Sequence, residues 1–376
     1  MENSPQRIHR QLLSRLYVVK KKKVAIIGIN GLPARYGGFE TLAENIVKEL
    51  SNAFDFTVYC RKTPKSQREK SYPGAKLVYL PFLANGWQSI FFDSIATLHA
   101  WLRADTLLIL GPVAGFILPL NFIFRKKLIV NYGGLNEWER EKLNVFEKKY
   151  LFINFKLACN AATYNIADNT ILKESLQKYF KSDARVIRYG GDHTKPVIPC
   201  ESLLNKYSFL SKPYYVSVSR AQLDNNLHLL LEAFSQLPDK ILVLVSNWSV
   251  SEYGNKLYEK YKDTENLILL KAIYDAEELN CIRSNAIAYI HSHSRCGTAP
   301  SLVEAICLNL AIISFDVPTN RETTKEKAIF FKNTEDLKEI AENITDEKLI
   351  ALKSGISQLK DEYLWRNIAK QYADLF

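Results

Sequence analysis

Paired cysteines are absent from this sequence. Its six cysteines are scattered and no two form a Cys-x-x-Cys pair; they are Cys60, Cys159, Cys200, Cys281, Cys296 and Cys307. This distribution argues against a disulfide framework and favours reduced thiols in the cytoplasm. Residues 1–23 also lack the apolar segment of a signal peptide, which agrees with a cytoplasmic location.

Nucleic-acid-binding patterns are missing too. No finger, RRM-like or basic-helix pattern accompanies the formal net charge of +10, so we expect no nucleic-acid partner. The charge instead favours polyphosphorylated ligands or an anionic membrane surface. With 376 residues, of which 47% are hydrophobic and 24% charged, the chain has the composition of an ordinary globular protein and the length of two domains.

Two segments are candidates for contact with a membrane. Residues 1–23 place several arginines and the run Lys20 to Lys23 around apolar side chains. They form either a solvated basic extension or an amphipathic segment lying on anionic lipid, at the inner face of the plasma membrane. Residues 106–124 carry no charge and approach spanning length, but two glycines and two prolines interrupt them. They predict a buried strand at 106–110, a turn and a short apolar helix, with a transmembrane helix as the alternative.

Strand-like and helix-like segments alternate along the chain in two series. Short apolar strands such as Phe54 to Cys60 are each followed by helical periodicity or a turn-rich stretch. Prolines mark an interdomain segment at 191–212. We therefore predict an α/β fold with a basic extension (1–23), a first Rossmann-like domain (24–190), a second one (213–355) and a C-terminal helix (356–376) that packs back on the first. The two parallel sheets would face each other across a cleft.

The first constellation is a glycine-bearing loop between the first strand and the first helix. Gly37 and Gly38 open that helix, where bare backbone can approach phosphate oxygens. A dinucleotide fingerprint is not present, because Gly28 and Gly31 have the wrong spacing and the second strand ends without an acidic residue. Gly28 and Gly31 then need only turn the chain. An NAD(P)-dependent oxidoreductase remains an alternative that this pattern disfavours.

The second constellation lies between His291 and Glu322. A strand leads into a Gly297-Thr298 loop and a helix that holds Glu304, so the loop amides and the helix dipole favour a diphosphate. Glu304 would accept hydrogen bonds from ribose hydroxyls. The alternative is that Ser301 and Glu304 form a capping box, which needs no ligand. His291, His293 and Cys296 suggest no fourth ligand, so we predict no metal site.

A third constellation places Arg220 at the end of a strand and Asn225 at the start of a helix. The guanidinium fork of Arg220 fits phosphate oxygens, which favours a diphosphate clamp. The alternative is a surface arginine paired with a carboxylate.

Together these constellations resemble the GT-B glycosyltransferases of family 4, and more narrowly a bacterial rhamnosyltransferase-like branch with a DUF1972-type first domain and a group 1 second domain. That branch shows a G-x-x-G-x-P-A-x-Y-G-G-F-E-T loop, a strand ending V-Y-C-R, an arginine-led N-N turn and an H-x-H-S…G-T-x-P-S-L-x-E-A segment. The matching positions are Gly28, Gly31, Pro33, Ala34, Tyr36 to Thr41, Val58 to Arg61, Arg220 to Asn226, and His291 to Ala305.

The resemblance implies a GT-B fold and metal-independent transfer of a sugar, with retention, from a nucleotide diphosphate sugar to a glycan or lipid-linked acceptor of the cell surface. Rhamnose is one candidate sugar, and no cofactor is implied. Arg220 would neutralise the diphosphate and Glu304 would bind the ribose. The resemblance implies further roles for donor-side residues Gly297, Thr298, Ser301, Asn225 and His293, for the acceptor and diphosphate loop of Gly37, Gly38 and Glu40, and for a sugar-side loop of Glu137, Trp138 and Arg140.

The sequence departs from the family at three places. Cys296 replaces a second glutamate of the wider family, Asn225 replaces its usual lysine, and Gly133 replaces an aspartate of the branch. The change at Gly133 falls in a loop that should border the donor sugar. A GT-B-like binding protein without catalysis is therefore a further alternative.

Overall fold

A computed structural model describes residues 21–35, 37–69, 71–134, 136–139 and 143–376 of the protein. Most of the basic extension, residues 1–20, lies outside the described residues, so the amphipathic interpretation of it stays a prediction. Within the described residues the chain forms two parallel sheets of seven and six strands.

The first sheet has seven parallel strands in the order β3-β2-β1-β4-β5-β6-β7. In register, Val24 of β1 lies between Phe56 of β2 and Thr106 of β4. The strands are β1 (Lys22–Ile27), β2 (Phe54–Cys60), β3 (Ala75–Tyr79), β4 (Thr106–Leu110), β5 (Lys127–Asn131), β6 (Tyr164–Ala167) and β7 (Arg185–Val186). The strand order reverses between β1 and β4, so a crevice opens at their carboxyl ends, where parallel-sheet proteins bind ligands.

In the described part of the first domain, five α-helices connect the strands of the sheet. They are α1 (Gly38–Leu50), α2 (Gln88–Trp101), α3 (Asn121–Phe124), α4 (Val145–Ala161) and α5 (Thr170–Phe180), with 3₁₀ turns at Lys65–Gln67, Gly115–Leu120 and Glu137–Glu139. The capping box that starts α4 is formed by Asn144 and Glu147, each of which binds the other's backbone N–H.

The second sheet has six parallel strands in the order β10-β9-β8-β11-β12-β13. They are β8 (Tyr214–Val218), β9 (Ile241–Ser246), β10 (Leu267–Lys271), β11 (Ala288–His291), β12 (Ala311–Phe315) and β13 (Ile329–Phe331). The α-helices are α6 (Glu201–Lys206), α7 (Leu227–Ser235), α8 (Glu252–Tyr261), α9 (Ala276–Ser284), α10 (Pro300–Cys307), α11 (Pro318–Thr324), α12 (Thr334–Asn343), α13 (Asp346–Ser357) and α14 (Trp365–Ala373). The 3₁₀ turns are Ser208–Ser211, Leu223–Asn225, Trp248–Val250 and Lys360–Tyr363.

Apolar side chains cover both faces of the first sheet. Val24 and Ile26 face a core shared with α1 and α14, whereas Ala25 and Ile27 face the core under α2 and α4. Strands buried on both faces need apolar residues at every position, which explains the uninterrupted apolar runs of the sequence.

The C-terminal helix α14 lies on the first domain. The ring of Phe376 makes an edge contact with Phe54 of β2 at 5.3 Å, and Asn131 of β5 donates a hydrogen bond to the Tyr372 hydroxyl at 2.6 Å. These contacts bring the end of the chain back to the sheet where it began, so the two domains are joined twice.

The uncharged segment 106–124 forms the predicted strand, turn and short helix, as β4, Gly115–Leu120 and α3. The transmembrane alternative for this segment is therefore wrong. Among the described residues, no helix combines the length and apolar character needed to cross a bilayer.

Candidate active site

A cavity of about 820 Å³ lies between the carboxyl edges of the two sheets. Residues of both domains line it, and the domains nearly touch at its mouth. A Cβ atom added at Gly38 of the first domain would lie 3.0 Å from Cγ of Pro300 in the second. Two ligands that each contacted one domain would therefore be held side by side.

Glu304 sits in the wall of this cavity and is held by two residues that sequence inspection did not single out. Its Oε2 accepts from Nη1 of Arg283 on α9 at 2.8 Å, and its Oε1 lies 3.2 Å from Nε2 of His193. Burial by itself raises the pKa of Glu304, but the Arg283 guanidinium and the His193 hydrogen bond outweigh it and keep the pKa below its ordinary value. Glu304 is therefore an anion fixed in place at the cavity wall.

The tautomer of His193 follows from its second partner. The indole N–H of Trp365 donates to Nδ1 of His193 at 3.0 Å. An indole can only donate, so Nδ1 is the acceptor and Nε2 carries the hydrogen that reaches Glu304. The chain segment between the domains and the C-terminal helix together orient the Glu304 carboxylate.

The capping-box alternative for Ser301 and Glu304 is wrong. Helix α10 starts at Pro300, its N-cap is Ala299, and no side chain caps it. Proline fits the first helical turn because its missing N–H would have no partner there. Ser301 is consequently the second residue of the helix and lines the cavity.

The Thr298 amide, a predicted donor-binding group, already has a partner from the first domain. Its N–H donates to Oδ2 of Asp168 at 2.8 Å, and its hydroxyl donates to the Asp168 carbonyl at 2.9 Å. Burial raises the pKa of Asp168 to about 7, although the Thr298 amide acts in the opposite direction. A Cβ at Gly297 would lie 2.4 Å from Asp168 Oδ2, so this close approach requires glycine.

Arg220 and Asn225 lie together at the end of β8. The Asn225 side-chain amide donates to the Arg220 carbonyl at 2.8 Å, which fixes the backbone of the turn, while the Arg220 side chain is exposed and lines the cavity. Among the described residues, no carboxylate pairs with the Arg220 guanidinium. The alternative that Arg220 is a surface arginine paired with a carboxylate is therefore wrong for every carboxylate that the structure describes.

His293 contributes a neutral ring to the same wall. Burial and the nearby Arg220 charge lower its pKa to about 3, and its buried Nε2 has no hydrogen-bond partner in the described structure. Its ring centroid is 4.3 Å from that of His291. The candidate ligand atoms of His291, His293 and Cys296 lie within 4.8 Å of one another, and no fourth His, Cys or carboxylate of the described residues joins them.

Of the residues predicted for the first-domain loop, the two glycines line the cavity and the glutamate does not. Gly37 and Gly38 line the cavity. Glu40 is buried and turned back toward the preceding loop, where its Oε1 accepts from the backbone and side-chain N–H groups of Asn30 at 2.9 and 2.7 Å. Glu40 therefore braces the loop from behind, and its role in the acceptor and diphosphate loop stays a prediction.

The residues predicted for the sugar-side loop also lie in different surroundings. Glu137 lines the cavity, but Trp138 is 5% exposed and makes edge contacts with four aromatic rings of the first domain, at Phe152, Phe155, Tyr179 and Phe180. Trp138 is therefore a core residue, and the prediction for its side chain is wrong. Arg140 lies outside the described residues.

The departure at Gly133 fits its surroundings, because φ is +62° and an added Cβ would lie 2.3 Å from the Phe39 ring.

A second interdomain contact lies beside the cavity. Both carboxylate oxygens of Glu322 on α11 accept from the backbone N–H of Thr170 at 2.9 Å, at the start of α5 in the first domain. The same carboxylate pairs with Arg188 at 3.1 Å. Glu322 was the last residue of the second constellation, but nothing in its spacing indicated this partner.

Two family models match the chain in succession. Residues 21–192 match the family described as "Domain of unknown function (DUF1972)", and residues 204–350 match "Glycosyl transferases group 1". No curated protein sequence is significantly similar to the chain.

Several solved structures share the two-domain architecture over nearly the whole chain. Sucrose-phosphate synthase from Thermosynechococcus elongatus has a TM-score of 0.79 at 16% identity, covering 94% of this chain and 98% of that one. HepE from Anabaena, solved with UDP-glucose, has a TM-score of 0.70 at 15% identity, with coverage of 94% and 98%. A glycosyltransferase from Rickettsia africae has a TM-score of 0.71 at 15% identity, with coverage of 95% and 98%.

Proposed function

We propose a specific reaction for the cleft of this protein. The chain is a glycosyltransferase of GT-B fold that joins a DUF1972 domain to a glycosyl transferases group 1 domain, and the proposal proceeds from there. The predicted fold and enzyme class are confirmed, and the oxidoreductase alternative is set aside. The reaction is transfer of a sugar, with retention, from a nucleotide diphosphate sugar to a glycan or lipid-linked acceptor used in cell-surface synthesis. Rhamnose is one candidate sugar. The observation that carries the proposal is that Arg220, which no carboxylate of the described residues pairs with, lines the same cavity as the fixed Glu304 anion.

The departing nucleotide diphosphate is the chief chemical problem of such a transfer. As the bond to the sugar breaks, negative charge develops on the diphosphate, and a positive group fixed nearby stabilises that charge. Arg220 is suited to this role because its guanidinium has no carboxylate partner among the described residues. Asn225 fixes the turn that carries it. On the same side Nε2 of His293, which has no hydrogen-bond partner among the described residues, offers a neutral hydrogen-bonding group.

Glu304 is suited to bind the ribose of the donor. Each carboxylate oxygen has two acceptor positions, so the contacts with Arg283 and His193 leave capacity for ribose hydroxyls. HepE from Anabaena was solved with UDP-glucose and shares this fold, which supports a nucleotide diphosphate sugar as donor. The loop amides at Gly297 and Thr298 would complete the donor side if the diphosphate displaced the Asp168 carboxylate.

The acceptor belongs to the first domain in this proposal, on the side of Gly37, Gly38 and Glu137. Closure of the two domains around both substrates would exclude water and limit hydrolysis of the donor. A lipid-linked acceptor would place the enzyme at the cytoplasmic surface of the membrane, in peripheral contact with anionic lipid.

The experiment is a donor panel. The full chain is incubated with dTDP-, UDP- and GDP-sugars, and both the thermal shift and the released nucleotide diphosphate are measured by calorimetry and mass spectrometry. Binding of at least one donor, followed by its turnover with an acceptor, supports the proposal. A donor that binds but never turns over on any cell-surface acceptor supports the non-catalytic alternative instead. If no donor binds, the proposal fails.

A further inference from the structure

The exposed apolar side chains of this protein are concentrated on one side of the first domain. Of the nineteen large hydrophobic side chains that are exposed among the described residues, thirteen fall between Leu83 and Ile153. Isolated exposed apolar residues are ordinary, but a contiguous group of this size marks an interaction surface.

Helix α2 contributes a complete stripe to this group. The stripe follows spacings of three and four residues and so lies on one face of the helix: it runs from the N-cap Trp87 through Phe91, Ile95 and Leu98 to the C-cap Leu102. All five are exposed, from 37% at Ile95 to 71% at Leu102. The opposite face, which includes Phe92 and Trp101, is buried against the sheet. This helix is therefore apolar on both faces, which burial in its own domain does not explain.

Helices α3 and α4 extend the stripe into a surface. The Trp101 and Phe124 rings stack at 4.6 Å and join α2 to α3. Asn154 of α4 accepts from the Phe116 backbone N–H at 2.8 Å and joins α4 to the turn before α3. The exposed apolar side chains of α2, α3 and α4 and of the two residues that cap α2, which include Phe122 (73% exposed) and Phe146 (85% exposed), are named here the apolar face.

Basic side chains accompany the apolar face. Arg103, Arg125, Lys149 and Lys156 are exposed at the ends of α2 and α3 and along α4. Residues 88–103, 121–125 and 145–161, which hold these cations, contain two acidic residues, and one of these, Asp93, is buried. Cationic side chains among bulky apolar ones are the composition of a surface that lies at the headgroup level of an anionic bilayer.

A basic cavity of about 530 Å³ adjoins this surface beside the last turn of α2. Lys23, Lys76, His99 and Arg103 line it with a single carboxylate, that of Asp55. Leu102, one of the most exposed residues of the apolar face, lines the same cavity. The cavity therefore places net positive charge at one end of the exposed apolar surface.

We propose that the apolar face of α2, α3 and α4 is the surface by which this protein lies on an anionic phospholipid bilayer. A second copy of the chain fits this surface less well, because a two-fold contact would bring the same cations of both copies together. The inference deepens the peripheral contact named under the proposed function and rests on it. Leu151 and Phe155 of α4 line the interdomain cavity, so a bilayer on the apolar face lies beside the acceptor side of the cleft.

The test is vesicle sedimentation of the full chain with matched variants. The double variant Leu102→Glu, Phe122→Glu changes two side chains of the apolar face that are 71% and 73% exposed. The control, Val250→Glu, Ile350→Glu, changes two side chains of the second domain that are 72% and 67% exposed and adds the same charge. Each protein is mixed with vesicles of phosphatidylcholine, with and without phosphatidylglycerol, and donor-induced thermal shifts are recorded in parallel.

We expect the wild type and the control to sediment with phosphatidylglycerol vesicles, and the face variant to lose at least about tenfold in partitioning. Omitting phosphatidylglycerol should weaken wild-type binding by about tenfold or more. The proposal is overturned if the wild type stays in the supernatant, if the face variant binds like the control, or if light scattering shows a dimer that only the face variant dissociates. The donor-induced shift reports on the cleft separately, so a failure of the proposed reaction would appear there and not in sedimentation.

Discussion

The buried carboxyl of Asp168 should make the free energy of unfolding fall as the pH rises. Its carboxyl is buried at the contact between the domains, and burial raises its pKa from 3.8 to about 7. The native state therefore holds this proton more tightly than the unfolded chain does. Stability that is present at low pH is lost as the pH rises from about 3.8 to about 7.

The size of the effect follows from the width of that window. Each pH unit inside it lowers the free energy of unfolding by about 1.4 kcal/mol, so the loss between pH 5 and pH 8 is about 3 kcal/mol. The variant Asp168→Asn keeps an oxygen for the Thr298 amide but cannot ionise. The free energy of unfolding of Asp168→Asn minus that of the wild type should therefore rise by about 3 kcal/mol from pH 5 to pH 8.

Chemical denaturation of both proteins at several pH values between 5 and 8 measures this difference. The same substitution at the exposed Asp263, Asp263→Asn, supplies the control for the change of side chain. A flat or falling difference for Asp168→Asn would refute the reasoning, because it would mean that the native site favours the carboxylate. Donor affinity gives a second readout: if the diphosphate needs the Thr298 amide, the wild-type affinity should weaken as the pH passes 7 and the Asp168→Asn affinity should not.

Three further predictions concern the two walls of the cleft and the core behind it. Gly38→Val should fold but lose transfer, because even a Cβ at this position lies 3.0 Å from Pro300; circular dichroism and nucleotide release check this, and full activity would contradict it. Glu304→Ala should lower the free energy of unfolding by about 3–5 kcal/mol, because it leaves the buried Arg283 cation without its partner; a urea titration measures the loss, and an unchanged midpoint would argue against the pairing. Trp138→Ala should lower the free energy of unfolding by about 3–5 kcal/mol, because it opens a cavity among four aromatic rings. A variant as stable as the wild type would instead favour a ligand-binding role for Trp138.

Most strands could be predicted because each is a short apolar run between turn residues, and parallel strands buried on both faces need such runs. Phe54–Cys60 has the bounds that its sequence indicates. Strand β13 carries no such signal, since Ile329–Phe331 is only three residues long and pairs with β12 alone. Alternation along the chain cannot reveal so short an edge strand.

The candidate site was predictable only where its residues are close in sequence. The Gly297-to-Glu304 segment and the Arg220 turn each carry a local pattern. Asp168, Arg283 and His193 reach the cleft from separate elements, so only the packing of the domains brings them to Thr298 and Glu304. Trp138 was misplaced because only the family resemblance assigned it to the sugar-side loop, whereas its own side chain points into the core.

The central claim, that the cleft transfers a sugar with Arg220 stabilising the leaving diphosphate, is tested most directly by comparing two arginine variants in the nucleotide-release assay. Arg366 is exposed on α14 and supplies the control. With a donor that the wild type turns over, Arg220→Ala should lower the rate of nucleotide diphosphate release about a hundredfold or more, and Arg366→Ala should leave it unchanged. Equal rates for the wild type and both variants would contradict the account.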